Sequence, residues 1–273
     1  MIVHDFPAQV RRCPARLGSE RDAMPLIEAN GATIDYADTG GDGPPLVLIH
    51  GWLGSWEDLR PEIEWLQATF RVLAPTRRGY GRSGPKPRDY PRDFYRRDAE
   101  DLAAWLDALD VRDAHIVGYS DGGEVALVLP ISRPDLTRSV VTWGAVGHFT
   151  PDLRAFVQRK YPATWVDDQT RALHGPEHID RMVLGWVTAL KQIIDSGGDV
   201  SYGAADQIAC PLLLMLGRDD TLNPVALGRE FVERTPRGRL ALFDCGHAIH
   251  RERPDAFRAT VEEFLRSVER ETV

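Results

Sequence analysis

The chain has 273 residues, of which 43% are hydrophobic, 27% charged and 8% aromatic, a composition ordinary for one large folded domain or two small ones. With 33 basic and 41 acidic side chains the net charge is −8, a sign that repels phosphate backbones and argues against nucleic-acid partners. No apolar run approaches the roughly 20 residues of a bilayer-spanning helix, so no membrane partner is expected. Three widely spaced cysteines (Cys13, Cys210, Cys245) form neither a disulfide framework nor a metal-ligand pattern and suit a cytoplasmic location.

Residues 1–23 lack hydrophobic periodicity, and also the apolar stretch and small-residue cleavage site of a secretory signal, so they read as a loose N-terminal extension. From Met24 onward, PLIEANG and ATIDYAD predict two strands joined at Asn30-Gly31, a pair suited to a hairpin turn. PLVLIH (45–50) and FRVLAP (70–75) are compact apolar runs typical of strands buried on both faces, and 55–68 between them has helical spacing. Residues 93–110 predict an amphipathic helix with Phe94, Ala99, Leu102, Leu106 and Leu109 on one face. AHIVGY (114–119) predicts a strand followed at once by a helix from about Asp121, which Pro130 is expected to shorten. RSVVTWGAV (138–146), PLLLMLG (211–217) and RLALFD (239–244) predict three further strands, with helical patterns near 225–235 and 254–268. The alternation predicts an α/β fold with a mostly parallel central sheet and helices on both faces. It breaks over 148–208, a stretch too long for a loop, which predicts an inserted helical lid between core segments 24–147 and 209–273.

The chemistry-bearing residues fall where these strands end. Gly118-Tyr119-Ser120-Asp121-Gly122 is a G-x-S-x-G at a strand-to-helix turn, where the glycines relieve crowding and the hydroxyl is lifted above the sheet edge. A serine nucleophile needs a base held in one tautomer. His247 follows the last strand, whereas His250 lies one turn further on and reads as a surface histidine. A metal site built on these two histidines lacks further ligands nearby. A carboxylate is expected from Asp219 or Asp220, after PLLLMLG. The backbone N–H groups of Trp52, in His50-Gly51-Trp52-Leu53-Gly54, and of Asp121, at a helix N-terminus, are candidates to form an oxyanion hole. His50 itself reads as a buried structural histidine. Trp143, Trp165 and Trp186 are candidates to line a pocket, with core packing the alternative role for each.

These segments resemble the α/β-hydrolase superfamily over roughly Met24 to Leu265. HGWLG resembles its oxyanion segment, RRGYGRSGP (77–85) its R-G-x-G-x-S loop with Thr76 where many members carry aspartate, and DCGH its catalytic histidine. GRDDTLNP resembles the G-x-x-D-x-x-x-P pattern around the acid, which selects Asp220. Within the superfamily the chain is similar to the biphenyl hydrolase-like family, above all in GYSDGGEVAL and VVTWGAV. The resemblance implies a cofactor-free serine hydrolase of small-molecule esters, with catalytic Ser120, Asp220 and His247, and no metal. It further implies that Asp121 holds the α-amino group of amino-acid esters, although an acid in a first helical turn is also favoured by the helix dipole. Carbon–carbon bond hydrolases and proline iminopeptidases keep the same serine and remain alternatives, as does a ligand-sensing receptor on this fold.

Overall fold

The computed structural model describes residues 25–272, so the predicted extension over 1–23 lies outside the described residues. The hairpin strands β1 (Leu26–Ala29) and β2 (Ala32–Asp38) are antiparallel and joined by Asn30 and Gly31, both at positive φ. They are followed by β3 (Pro45–Ile49), α1 (Arg60–Leu66) and β4 (Arg71–Pro75). Next come α2 (Phe94–Ala108), β5 (Ala114–Tyr119), α3 (Asp121–Ser132) and β6 (Thr137–Trp143). Between β6 and β7 lie α4 (Leu153–Gln158), α5 (Asp168–His174) and α6 (Pro176–Asp195). The chain closes with β7 (Leu212–Gly217), α7 (Val225–Arg234), β8 (Gly238–Phe243), α8 (Ile249–Glu252) and α9 (Pro254–Thr272).

The eight strands form one sheet in the order β1-β2-β4-β3-β5-β6-β7-β8, parallel from β4 to β8. Alternate side chains of each strand feed two different cores, as the pleat requires. Val47 and Ile49 pack with α2, α3 and α6, whereas Leu46 and Leu48 pack with α1 and α9. Because the strands are parallel and in register (Ile49 beside Gly118, Tyr119 beside Trp143, Gly217 beside Phe243), their carboxyl ends share one rim. The loops after β3, β5, β6, β7 and β8 therefore converge there.

Two expectations need correction, and a third is incomplete. The strand predicted over 138–146 ends at Trp143, where Gly144 takes φ +67 and turns the chain out of the ladder. Pro130 does not cut α3 short; the helix runs two residues beyond it, to Ser132. The face of α2 is also more polar than its apolar spacing implied. Asp98 and Asp101 are buried on it, because they meet the buried guanidinium groups of Arg77, Arg88 and Arg78. Among the described residues no helix is long and apolar enough to cross a membrane.

Candidate active site

The turn between β5 and α3 is tight enough to force unusual backbone. Ser120 sits at φ 53, ψ −122, a conformation L residues rarely adopt and one that costs of order 1–3 kcal/mol. Glycine is required on either side. A Cβ at Gly118 would lie 2.3 Å from the Gly122 carbonyl oxygen, and one at Gly122 would lie 2.4 Å from that of Ile49. The close passage of α3 over β3 and β5 that these glycines permit raises the Ser120 hydroxyl above the rim.

The structure brings Ser120, His247 and Asp220 together from three different loops. His247 Nε2 is 3.0 Å from Ser120 Oγ, and His247 Nδ1 is 2.8 Å from Asp220 Oδ2. An Nδ1–H donated to the carboxylate leaves Nε2 free to accept from the serine. Asp220 also accepts from the Leu222 N–H at 2.8 Å and from Asn223 Nδ2 at 2.9 Å. Burial pushes its carboxyl up, but the hydrogen bond and charge of His247 and the donors Asn223 and Leu222 outweigh that and hold it below the ordinary value. Asp219 is exposed and makes no hydrogen bond to His247 among the described residues, so the geometry separates the two candidate acids. Asn223 is a partner the sequence reading missed. Its side chain also lies 3.3 Å from His247 Nδ1. Its place three residues after the acid and next to Pro224 offered no signal of its own.

The loop after β3 closes over the serine. A Cβ on Gly51 would fall 3.3 Å from Ser120 Cβ, and Leu53 turns the loop at φ 53. His50 is buried and fixes this loop, its Nδ1 donating to the Gly51 carbonyl at 2.7 Å while its Nε2 accepts from the Arg77 N–H at 2.9 Å. Burial, helped by Arg77, pushes this imidazole well below its usual pKa, which suits that neutral, single-tautomer role. The Arg77 side chain donates to the Gly51 carbonyl at 2.9 Å and to Asp98 at 3.1 Å. Neither the Trp52 N–H nor the Asp121 N–H donates to a protein acceptor among the described residues.

Asp121 is buried and lines the pocket beside the serine. Its Oδ1 accepts from Tyr95 Oη at 2.8 Å and its Oδ2 from Trp186 Nε1 at 3.0 Å. Burial raises its carboxyl, with Arg77, Tyr95 and Trp186 pulling the other way. The pocket, partly open to solvent, reaches from Ser120 and His247 to an apolar wall of Phe149, Leu153, Phe156 and Leu190. Of the three tryptophans singled out, Trp186 lines the pocket and stacks on Trp52 at 3.9 Å. Trp143 is buried in the core against α9, and Trp165 is 47% exposed.

His250 is the main departure from expectation. It is 5% exposed rather than superficial, and accepts from Trp143 Nε1 at 3.0 Å. The short helix α8 turns it inward onto Tyr119 and Phe257, and burial with the Arg251 charge pushes its imidazole down to about 4. Glu124 was overlooked altogether. An acid one turn into a helix that is otherwise apolar (GGEVALVLP) was the signal that could have found it.

Comparisons with known proteins agree with this architecture. A model described as the alpha/beta hydrolase family matches residues 46–260. The human serine hydrolase BPHL is 31% identical over 248 residues, covering 88% of this chain and 85% of that protein. A putative carbamate hydrolase RutD of Azorhizobium caulinodans is 29% identical, covering 90% of this chain and all of that one. Among solved structures, a meta-cleavage product hydrolase from Pseudomonas fluorescens superimposes with a TM-score of 0.71 at 25% identity, covering 89% of this chain and 97% of that one.

Proposed function

The chain belongs to the alpha/beta hydrolase family, and from that premise we propose that it is a cytoplasmic serine hydrolase of small carboxylic esters, α-amino-acid esters among them. The observation that carries the reading is the continuous chain of contacts Ser120 Oγ, His247 Nε2, His247 Nδ1, Asp220 Oδ2, at 3.0 and 2.8 Å. Family membership supports hydrolysis of a small molecule; the ester bond and the residue roles are the proposal.

In this reading Ser120 Oγ attacks the ester carbonyl carbon as His247 Nε2 takes its proton. Asp220 holds the imidazole in place and stabilises the imidazolium that results. Oxyanion charge falls to the N–H groups of Trp52 and Asp121, the second aided by the N-terminus of α3. His247 then protonates the departing alcohol. A water, deprotonated by the same nitrogen, cleaves the acyl-serine and restores the hydroxyl. None of these steps calls for a cofactor. The acyl group occupies the pocket beneath residues 148–208, assigned here as a lid. An α-ammonium next to the carbonyl is placed to meet Asp121, whose two oxygens each hold one neutral donor and keep a lone pair free.

The test compares methyl esters of valine and of 3-methylbutyric acid in wild type, Ser120→Ala and Asp121→Asn. Ser120→Ala is expected to lose several orders of magnitude in turnover. Asp121→Asn is expected to erase most of the preference for the amino ester. Undiminished turnover by Ser120→Ala would end the serine reading, and an amino-ester preference that survives in Asp121→Asn would end the amino-ester part alone. Dienone substrates and proline amides run in parallel distinguish the two neighbouring hydrolase activities. Labelling by a fluorophosphonate without sustained ester turnover would point to a receptor.

A further inference from the structure

One carboxyl group in the acyl pocket has no part in the chemistry above. Glu124 is 2% exposed and lines the pocket, three residues beyond Asp121 on α3. Its Oε1 accepts from the backbone N–H groups of Val146 and Gly147, at 3.1 and 3.2 Å. Its Oε2 is buried and meets no hydrogen-bond partner among the described residues. A buried carboxyl oxygen left in that state, as an acceptor or as a protonated hydroxyl, is costly unless something else pairs with it. The pocket's lining contains no lysine or arginine; Arg77 and Arg88 act on Asp121 from outside it, whereas no cation is among the groups acting on Glu124.

We propose that Glu124 Oε2 is a binding subsite for a cationic nitrogen carried on the acyl chain beyond its α carbon, making it a specificity-determining residue for acyl groups with a distal amine. The turnover part of this inference rests on the ester-hydrolase reading; the binding part does not. Helical rise places Glu124 about 4.5 Å further along α3 than Asp121. At roughly 1.3 Å of reach per methylene, from C–C bonds of about 1.5 Å, that is three to four carbons past the position of an α-amino group. Lysyl, ornithyl and ω-aminoacyl groups fit that span.

The protonation of the Glu124 carboxyl fits such a ligand. Burial pushes the Glu124 carboxyl up to about 8, with Asp121 adding to the rise and the Val146 and Gly147 N–H groups opposing it. The titratable groups facing it are Asp121 on its own helix and Tyr95 on α2. The loop after β6 contributes backbone N–H groups, α6 contributes Trp186 and Leu190, and His247 lines the same pocket from the loop after β8. At neutral pH Glu124 is therefore mostly a carboxylic acid. An entering ammonium displaces that proton to solvent and leaves a carboxylate–ammonium pair; a neutral amine would take the proton itself. No covalent bond is made or broken.

Two measurements test the proposal. In the first, kcat/KM is compared for the methyl esters of hexanoic, 6-hydroxyhexanoic and 6-aminohexanoic acids. The ratio of amino to plain ester is expected to be about 10-fold or more in wild type and to fall toward one in Glu124→Gln. A ratio near one in wild type, an unchanged ratio in Glu124→Gln, or a hydroxy ester as good as the amino ester would overturn it. In the second, methyl 6-aminohexanoate is titrated calorimetrically into Ser120→Ala at pH 7 in phosphate and in Tris. Close to one proton should leave per ligand bound, and none with methyl hexanoate; equal proton release by both ligands sinks the subsite. Should Glu124→Gln not fold, this ligand comparison decides alone. Should no ester turn over in wild type, the ester reading falls and proton release still judges the subsite.

Discussion

Gly122→Ala perturbs the site without touching any group that does chemistry. The new methyl carbon would lie 2.4 Å from the Ile49 carbonyl oxygen and 2.5 Å from that of His50, both backbone atoms at the end of β3. Neither can swing aside as a side chain would. Restoring ordinary contact of about 3.5 Å requires the start of α3 to retreat by about 1 Å. Ser120 sits at that helix start, and a comparable displacement would open its 3.0 Å contact with His247 beyond hydrogen-bonding reach. It would also carry the Asp121 N–H away from the developing oxyanion. A misplacement of that size is expected to lower kcat by about 10²-fold or more. The overpacking should lower stability by about 1–3 kcal/mol, or roughly 2–6 °C in Tm for a domain of this size. Ester turnover, normalised to the fraction of enzyme labelled by a fluorophosphonate, and thermal unfolding by circular dichroism read the two effects separately. A Gly122→Ala protein with kcat within threefold of wild type and an unchanged Tm would show that α3 accommodates the methyl group, and the account of the turn would be wrong.

Asp220→Asn should reduce kcat by about 10⁴-fold, because the amide can hold His247 in the wrong tautomer, while KM stays close to wild type; steady-state kinetics check both. Glu124 should make stability depend on pH. Its carboxyl titrates near 4.5 when unfolded and near 8 when folded, so the folded state holds the extra proton. The contribution of Glu124 to stability is therefore greatest below about pH 4.5 and falls as pH rises towards 8, by up to roughly 5 kcal/mol. Glu124→Gln lacks that titration, so its stability relative to wild type should improve steadily between pH 5 and 9 in urea melts; a constant difference would contradict the raised carboxyl. Asp98→Ala should cost about 3–5 kcal/mol, since it leaves the buried guanidinium groups of Arg77 and Arg88 without their shared carboxylate. A Tm within 2–3 °C of wild type would refute that value.

Much of this molecule could be read before any coordinates. The inner strands β3, β4, β5 and β7 are short, largely apolar runs, because burial on both faces leaves little polar side to write into the pattern, and the predicted strands from PLVLIH to RLALFD lie within a few residues of β3 to β8. Ser120, His247 and an aspartate after β7 were legible as candidates for a related reason, since residues just past the ends of parallel strands meet on one rim; the choice of Asp220 over Asp219 came only from the family pattern. Local turn chemistry was legible too. Asn30-Gly31 and the glycines around Ser120 are residue choices dictated by backbone shape within a few residues.

The tertiary structure decided what depends on the surroundings of a side chain rather than on its neighbours in sequence. His250, read as superficial, is buried because α8 turns it toward Trp143 and Phe257. Asp98 and Asp101 interrupt an apolar face because arginines from the loop after β4 arrive to pair with them. Asn223 joins Asp220 and His247 through a contact no motif records. Glu124 has one oxygen occupied and the other without a partner because the loop after β6 offers two N–H groups and no third donor reaches it among the described residues. Periodicity reports which way a side chain points. Whether a buried polar atom finds a partner depends on elements that fold in from elsewhere, and only their packing answers it.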